Sequence, residues 1–285
     1  MLGVLKDIIE HKRAEVAAAK ARTSFSELEG LVAQAEPARN FFAAVTQHPD
    51  AFHSSVIAEI KRKSPSAGWI RPEYEHLLGP DHPGGFDPAA VARRYHGNGA
   101  AAISCLTDEK FFAGDLRFIE RIKEAVPLPV LRKDFIIDPW QLWESRAAGA
   151  DAVLLIGECL TIAEMMDMFI LAQRLGLTVL LEVHDVETLL RVRPHVGFPH
   201  PAYFLLGINN RDLGAQKVDV NHTLRLLDMV DDPGVLVSES GIRSSKDVNW
   251  LRHHGVRIVL VGEHLMRAED PGAALAALLG RPPLS

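Results

Sequence analysis

One pattern recurs along this chain from residue 56 onward: a short apolar run, a polar or glycine-containing turn, and then a stretch with helical periodicity. Several of the helical stretches begin with Asp, Ser or Thr and end with Gly, which is typical of helix caps. Near-continuous apolar strands that alternate with helices indicate a parallel sheet covered on both faces. The eight apolar runs are VIAEI (56–60), AAISCL (101–106), PVLRK (129–133), AVLLI (152–156), TVLLEV (178–183), YFLLGI (203–208), VLVSE (235–239) and RIVLVG (257–262).

Eight strand–helix units predict an α/β fold, a single closed (β/α)8 or TIM barrel. A doubly wound open sheet is the structural alternative. Such a sheet would normally carry a glycine-rich dinucleotide loop after its first strand, where this chain has KRKSPSAG instead. The sequence therefore favours the barrel.

The first 50 residues lie outside this repeat. Leu2, Leu5, Ile9 and Val16 recur at helical spacing, and SFSE (24–27) has the form of a capping box for a second helix. We expect residues 1–50 to form an N-terminal helical extension packed on a catalytic barrel of residues 51–285.

Composition excludes several classes of protein. The chain has 285 residues and a formal net charge of -6, and this mild acidity argues against a nucleic-acid or membrane-surface partner, since both usually require a basic face. No apolar run approaches the ~18 residues that span a bilayer, and charges occur too early in the chain for a secretory signal. Two cysteines, Cys105 and Cys159, lie in separate apolar contexts. We expect a cytoplasmic protein with reduced thiols.

Charged side chains collect at the C-terminal ends of the predicted strands, where (β/α)8 enzymes carry their chemistry. Glu59 and Lys61 are two residues apart, so that they point to the same face of the first strand. Burying unpaired charge is costly, so such groups must satisfy one another, serve a function, or both. The later strand ends add Lys133, Asp134, Glu182, Asn209, Arg211, Glu239 and Ser240. As a set, these residues favour an active site over an ion-pair network that only closes the barrel.

Two glycine-containing turns are typical of anion sites. SESGIRSS (238–245) places Gly241 after the seventh run, and LVGEHLM (260–266) places Gly262 after the eighth. Backbone N–H groups can approach an anion at such turns, and barrels of this kind commonly bind phosphate there. His184 and His264 show no metal-ligand spacing, so we expect polar histidines at the rim and no metal site.

At these strand ends the sequence closely resembles the indole-3-glycerol phosphate synthases of tryptophan biosynthesis. The motifs follow the family's order and cover nearly the whole chain, including the N-terminal extension. Related phosphosugar barrels share the phosphate loops but not this set of acids and lysines. The matching motifs are EIKRKSPSAG, AAISCLTDEKFF, PVLRKDFIIDPWQLWESRAAGADAVLLI, LLEVHD, GINNRDL, SESGI and VGEHLM.

The resemblance implies a carboxy-lyase that closes the indole ring of 1-(2-carboxyphenylamino)-1-deoxyribulose 5-phosphate, losing CO2 and then water, without cofactor or metal. It implies that Lys133 protonates the ribulose carbonyl and that Lys61 assists the later loss of hydroxide. The implied catalytic residues are Glu59, Lys61, Lys133, Glu182, Asn209 and Glu239. The implied substrate-binding residues are Ser64, Phe112, Arg211 and Ser240, and the implied phosphate-binding residues are Ser64, Gly241, Gly262 and Glu263.

Two other functions stay open at this point. The first is a phosphosugar isomerase or Schiff-base aldolase on the same barrel, in which Lys133 would form an imine. The second is a non-catalytic phosphosugar-binding barrel, which should have lost its inward acids while keeping Gly241 and Gly262. For the synthase we expect an anionic phosphosugar as the partner, no nucleic acid, no membrane, and a monomer or weak homo-oligomer.

Overall fold

The computed structural model describes residues 3–47, 53–79, 81–82, 84–212 and 217–283. Its strands are β1 (Ser55–Ile60), β2 (Lys63–Ser64), β3 (Gly68–Trp69), β4 (Ala102–Leu106), β5 (Val130–Lys133), β6 (Ala152–Ile156), β7 (Thr178–Val183), β8 (Phe204–Asn209), β9 (Leu236–Glu239) and β10 (Ile258–Val261). Eight of them form a closed parallel barrel in the order β1-β10-β9-β8-β7-β6-β5-β4, while β2 and β3 pair with each other. The predicted (β/α)8 fold is confirmed.

The helices surround this barrel. They are α1 (Val4–Arg22), α2 (Phe25–Gln34), α3 (Phe41–Thr46), α4 (Pro88–Gly97), α5 (Glu109–Phe112), α6 (Arg117–Ala125), α7 (Pro139–Ala147), α8 (Ile162–Arg174), α9 (Val186–Val192), α10 (Asn221–Leu226), α11 (Ser245–His253), α12 (Glu263–Arg267) and α13 (Pro271–Leu278). Short 3-10 helices occur at Pro72–Glu75, Gly157–Cys159, Arg193–His195, Pro201–Tyr203, Leu227–Met229 and Pro233–Val235. Within the described ranges, no helix is long and apolar enough to cross a bilayer.

The predicted strands agree with the barrel strands to within one residue at every end. The antiparallel hairpin of β2 and β3 was not predicted. It joins Lys63 to Trp69 and Ser64 to Gly68 inside the polar stretch that follows β1. Strands of two residues carry too little periodicity to be read from sequence.

Side chains on the barrel strands alternate between the interior and the surrounding helices. Ile57, Leu131, Leu180, Leu205 and Val237 belong to one buried apolar cluster, whereas their strand neighbours pack in a larger cluster beneath the helices. Since residues two apart share a face, the interior face continues toward the C-terminal strand ends. On this interior face the next residues are Glu59, Lys133, Glu182 and Glu239, and on β8 they are Gly207 and then Asn209. The barrel interior is therefore apolar at depth and charged at its mouth.

The N-terminal segment contacts both ends of this barrel. Leu5 and Ile9 of α1 are buried, as is Val16, while Leu2 lies outside the described residues. The predicted capping box is present at α2, where the Ser24 side chain accepts a hydrogen bond from the backbone N–H of Glu27. From α3, Phe41 and Val45 join the apolar cluster of the barrel interior. The domain boundary at residue 50 stays a prediction, since residues 48–52 are not described.

A buried ammonium attaches α1 to the barrel. Lys12 is fully buried, and its Nζ lies 2.9 Å from Asp108 Oδ2 and 3.0 Å from Asp134 Oδ1. Glu15, on the same helix, lies 2.9 Å from that Nζ. Burial alone would lower the pKa of Lys12, but the carboxylates of Asp134, Asp108 and Glu15 hold it above its ordinary value. The two aspartates follow β4 and β5, so Lys12 ties α1 to the loops at the barrel mouth.

The segment between β3 and α4 is fastened by Arg62, which strand alternation turns away from the barrel interior. Its guanidinium donates to the backbone oxygens of Tyr74 (2.8 Å), Glu75 (2.8 Å) and Ala113 (3.1 Å). The buried ring of Phe86 lies 5.4 Å from that guanidinium. The long segment of residues 73–86 is thus anchored to the barrel in its described part, which leaves out residues 80 and 83.

We predict that Lys12→Met is strongly destabilising. Methionine has a similar length but leaves Asp108 and Asp134 facing each other without their shared cation. Removing one partner of a buried ion pair typically costs about 3–5 kcal/mol. The measurement is the free energy of unfolding by denaturant titration at neutral pH. Lys6→Met, on the exposed side of the same helix, is the matched control. Equal losses in the two variants would contradict the proposed attachment.

Candidate active site

The C-terminal ends of the barrel strands open into a cavity of about 630 Å³. All thirteen residues that the sequence pointed to line this cavity, namely Glu59, Lys61, Ser64, Phe112, Lys133, Glu182, Asn209, Arg211, Glu239, Ser240, Gly241, Gly262 and Glu263. Leu5 and Ile8 of α1 line it as well. The N-terminal helix is therefore part of the site wall, a contribution that sequence reasoning did not identify.

Lys133 lies at the centre of the charged part of the cavity. Its Nζ is 3.0 Å from Glu182 Oε2 and 3.6 Å from Glu239 Oε2. Asn209 Nδ2 donates to Glu182 Oε1 at 3.1 Å. The side chains of Lys133, Glu182 and Glu239 are 13%, 5% and 2% exposed. One ammonium thus lies next to two carboxyl groups in an environment that is nearly free of solvent.

The two carboxylates differ in protonation. Burial alone would raise the pKa of Glu182, but Lys133 and the hydrogen bonds that Glu182 accepts hold that pKa well below its ordinary value. Burial and the nearby negative charge of Glu182 raise the pKa of Glu239 well above its ordinary value. Neither oxygen of Glu239 has a hydrogen-bond donor among the described residues. The surroundings therefore favour the anionic form of Glu182 and the protonated form of Glu239.

Lys133 itself is held in the protonated form. Burial alone would lower its pKa, but the neighbouring acidic side chains, Glu182 foremost, raise it above the ordinary value of a lysine. An ammonium at this position can donate a proton, whereas it has no free lone pair with which to attack a carbonyl.

Glu59 and Lys61 form a second ion pair on the same rim. Lys61 Nζ lies 2.7 Å from Glu59 Oε1. A Cβ atom at Gly262 would overlap the Glu59 carboxylate, and a Cβ atom at Gly207 would overlap Glu239 Oε1. Gly262 is therefore required by the position of Glu59, in addition to the anion contact expected from the sequence. Gly207 was not singled out in the sequence and makes the corresponding space for Glu239.

The turn after β9 has a backbone that restricts its residues. Ser240 and Gly241 have φ angles of 68° and 82°. Asn210 holds the turn by donating from Nδ2 to the backbone oxygen of Ser240 at 3.1 Å. A Cβ atom at Gly241 would lie 2.5 Å from Val218 Cγ1. Both the left-handed backbone and this contact require glycine at 241.

The remaining predicted residues line the other walls. Ser64 is buried, and its Oγ accepts from the backbone N–H of Ala67 at 3.2 Å, which leaves its own O–H free to donate. The ring of Phe112 lies 6.1 Å from that of Phe135. These two rings, with Leu5 and Ile8, belong to the apolar lining of the cavity.

Glu263 has a carboxylate that is occupied by arginines. Its Oε1 lies 3.0 Å from Arg267 Nε, and its Oε2 lies 3.7 Å from Arg211 Nη2. Burial alone would raise the pKa of Glu263, but the hydrogen bond from Arg267 holds it below its ordinary value. A negative side chain would repel a phosphate, so the predicted phosphate contact can come only from the backbone N–H of this residue.

His184 was expected to be a polar histidine of the rim, with no assigned partner. It is instead buried against two carboxylates. Its Nε2 lies 3.0 Å from Glu182 Oε1, and its Nδ1 lies 3.3 Å from Glu158 Oε2. Its spacing of two residues from Glu182 on an apolar strand was the signal that could have identified it, because such residues share a face.

Within the described ranges, no group of three or more His, Cys, Asp or Glu side chains is arranged to hold a metal ion.

Solved structures share this barrel at low sequence identity. A 3-hexulose-6-phosphate synthase matches with a TM-score of 0.58 and 16% identity over 79% of this chain and 98% of that chain. A tryptophan synthase from M. tuberculosis matches with a TM-score of 0.56 and 13% identity over 86% of this chain and 98% of that chain. At such identities the likeness concerns the fold alone.

Sequence comparisons identify the family. The sequence model of the family described as "Indole-3-glycerol phosphate synthase" matches residues 5–278. A protein of that name from Acidithiobacillus ferrooxidans is 44% identical over 98% of this chain and 99% of its own length. Another from Burkholderia ambifaria is 43% identical over 98% of this chain and 99% of its own length. The chain therefore belongs to the indole-3-glycerol phosphate synthase family.

Proposed function

We infer that this chain catalyses the closure of the indole ring of 1-(2-carboxyphenylamino)-1-deoxyribulose 5-phosphate to indole-3-glycerol phosphate, with loss of CO2 and water, in tryptophan biosynthesis. The observation that carries the site assignment is the charged cluster at the barrel mouth. There, the Lys133 ammonium contacts both Glu182 and Glu239 inside a cavity lined by aromatic and apolar groups. A substrate with an aromatic ring, a carbonyl and a phosphate finds a matching surface for each of these parts.

The first step joins the aromatic carbon that bears the carboxylate to the carbonyl carbon of the ribulose part. The carbonyl π electrons move to oxygen, and the Lys133 ammonium donates a proton to that oxygen. Lys133 is firmly protonated at neutral pH, and a developing alkoxide is basic enough to take its proton. The bond to the carboxylate then breaks, CO2 leaves, and its electron pair restores the aromatic ring.

The second step removes water from the closed ring. The hydroxyl must leave with a proton, and a carbon-bound hydrogen must be taken by a base. We assign the base to Glu182, whose surroundings favour the anion, and a proton source to Glu239, whose surroundings favour the acid. Paired groups whose surroundings move their pKa values apart commonly divide acid and base roles in this way. Lys61 with Glu59 lies at the same rim, where Lys61 can assist the departure of hydroxide.

The phosphate is proposed to bind at the turns that contain Gly241 and Gly262, with Ser64 donating from its hydroxyl and Glu263 from its backbone N–H. Arg211 and Ser240 are proposed to contact the rest of the substrate, and Phe112 to pack against its aromatic ring. Asn209 is proposed to orient both Glu182 and the sugar hydroxyls. These assignments rest on the common cavity and on the residue types.

The protonation of Lys133 argues against the Schiff-base alternative. Imine formation needs a neutral amine, which enzymes obtain by lowering the pKa of a lysine. Here the surrounding carboxylates raise that pKa. The inward acids Glu59, Glu182 and Glu239 are all present and buried, which argues against a barrel that only binds a phosphosugar.

The setting of the enzyme is also a proposal. We propose a cytoplasmic enzyme that acts as a monomer or weak homo-oligomer and requires neither cofactor nor metal. Cys105 and Cys159 are unpaired, which supports a reducing compartment.

We predict that Lys133→Met abolishes most of the turnover and largely spares binding. Methionine keeps much of the length and apolar volume of lysine but cannot donate a proton. Losing a positioned general acid typically costs ~10²–10⁴-fold in rate. The measurement is kcat from the fluorescence of the indole product, together with the affinity for a reduced, unreactive substrate analogue.

Lys246→Met, on the exposed face of α11, is the control for that experiment and should keep its turnover. Native circular dichroism is required of both variants. Near-full turnover of Lys133→Met would show that another residue is the proton donor, and Lys61 would be examined first.

We further predict that binding is driven by the anion site and is independent of metals. Activity should survive incubation with EDTA, and inorganic phosphate should compete with the substrate through the turns at Gly241 and Gly262. The measurement is the initial rate against substrate concentration at several concentrations of phosphate. Loss of activity on chelation, restored by a divalent ion, would refute the metal-free proposal.

A further inference from the structure

A second cavity lies behind the active site. It has a volume of about 580 Å³ and lies between α1 and the turn that follows β6. Glu158 lines this second cavity, whereas His184 lines the active-site cavity. The two side chains are 3.3 Å apart (Glu158 Oε2 to His184 Nδ1). A chain of ionisable groups therefore runs from the second cavity through His184 to Glu182 and Lys133.

Glu158 fixes His184 at two points. Its Oε2 faces the ring, and its Oε1 accepts a hydrogen bond of 2.8 Å from the backbone N–H of His184. The turn that carries Glu158 is itself held by Arg191, which donates to the backbone oxygens of Gly157 and Leu160. The Glu158 carboxylate thus has a defined position, and its side chain is only 12% exposed.

We propose that Glu158 and His184 are positioning residues that hold Glu182 ionised and in a single orientation during the reaction. The proposal rests on the proposed function, in which Glu182 is the base. An imidazolium can donate from both nitrogens, one to each carboxylate, whereas a neutral imidazole can donate from only one. With His184 and Asn209 on Oε1, Glu182 keeps Oε2 directed at Lys133.

The surroundings favour the charged form of His184. Burial alone would lower its pKa, but the contacts of the ring with the Glu158 and Glu182 carboxylates raise it to about 10. The other ionisable groups nearby include Lys133 across Glu182, Cys159 beside Glu158, Arg191, and the charged side chains of the second cavity, namely Arg13, Lys20, Asp138 and Glu164. Another is His222, whose Nε2 lies 2.9 Å from the backbone oxygen of His184.

Glu158 offers the sharper test, because it does not line the active-site cavity. Glu158→Gln keeps the size of the side chain and an oxygen for the backbone N–H of His184, and removes only the charge. His184 then holds its proton less tightly, and Glu182 becomes easier to protonate. An effect on the reaction would have to pass through His184 and Glu182.

The experiment compares Glu158→Gln, His184→Gln and the double variant in the full chain, with His253→Gln on the exposed end of α11 as the control. We expect kcat to fall on the order of 10–100-fold in each single variant, as is usual when a supporting partner of a reacting group is lost. KM of Glu158→Gln should stay within about threefold, since Glu158 does not line the active-site cavity. The acid limb of the kcat–pH profile should move to higher pH.

The double variant should be little worse than His184→Gln alone, because both residues act through one chain. Additive losses, or an unchanged kcat and pH profile for a folded and active Glu158→Gln, would overturn the proposal. Should His184→Gln fail to fold, the kcat and pH profile of Glu158→Gln decide the matter.

A second measurement requires no substrate. NMR titration of the His184 ring should find an imidazolium well above neutral pH in the parent protein, and a lower pKa in Glu158→Gln. A His184 that titrates near the ordinary 6.5 would overturn the proposal even in a fully active enzyme. Conversely, a parent protein that does not close the indole ring would contradict the proposed function, while this titration would still report on the His184 contacts.

Discussion

The cost of removing charge from water governs the mouth of this barrel. An unpaired carboxylate or ammonium is far less stable in a protein interior than in solvent, and a buried pair gains little unless its geometry and hydrogen bonds are good. In this structure each buried acidic group lies next to an ammonium. Lys133 contacts both Glu182 and Glu239, while Lys61 pairs with Glu59. Neither oxygen of Glu239 has a hydrogen-bond donor among the described residues, and burial beside Glu182 raises the pKa of Glu239, which favours its protonated form. The division into one anion, one acid and one ammonium therefore follows from burial, and it is also the division that ring closure and dehydration require.

The same constraint explains how the N-terminal helix is joined to the barrel. Lys12 contacts Asp108 and Asp134, which lie in the loops after β4 and β5. Asp108 caps α5, the helix that ends at Phe112, and Asp134 is the neighbour of Lys133. A change in the position of α1 would therefore be transmitted both to the aromatic ring of Phe112 and to the ammonium of Lys133. The extension thus supports the reacting groups through paired charges, besides lending Leu5 and Ile8 to the cavity wall.

The sequence was a good guide wherever a local rule places a side chain. Period-two alternation put Glu59 and Lys61 on one face, and parallel strands brought Lys133, Glu182 and Glu239 to one rim. Contacts between distant segments could not be predicted in this way. Lys12 was not singled out in the sequence, and His184 was expected to be a polar histidine of the rim, because the partners of both residues are supplied by other segments of the chain. Gly262 was read as an anion turn, while its contact with Glu59 depends on a packing distance. The protonation of Glu239 likewise depends on ångström-scale distances to Glu182 and Lys133, which no spacing in the sequence encodes.

The central claim is that Glu239 is a neutral acid beside an ionised Glu182, and infrared spectroscopy can test it directly. A protonated carboxyl has a C=O stretch that is separate from the bands of carboxylates and of the backbone. In the substrate-free protein at neutral pH, with isotope-labelled glutamate to assign the band, we predict a buried carboxylic-acid stretch that disappears in Glu239→Gln. A parent protein without that stretch, or a stretch that persists in Glu239→Gln, would contradict the account.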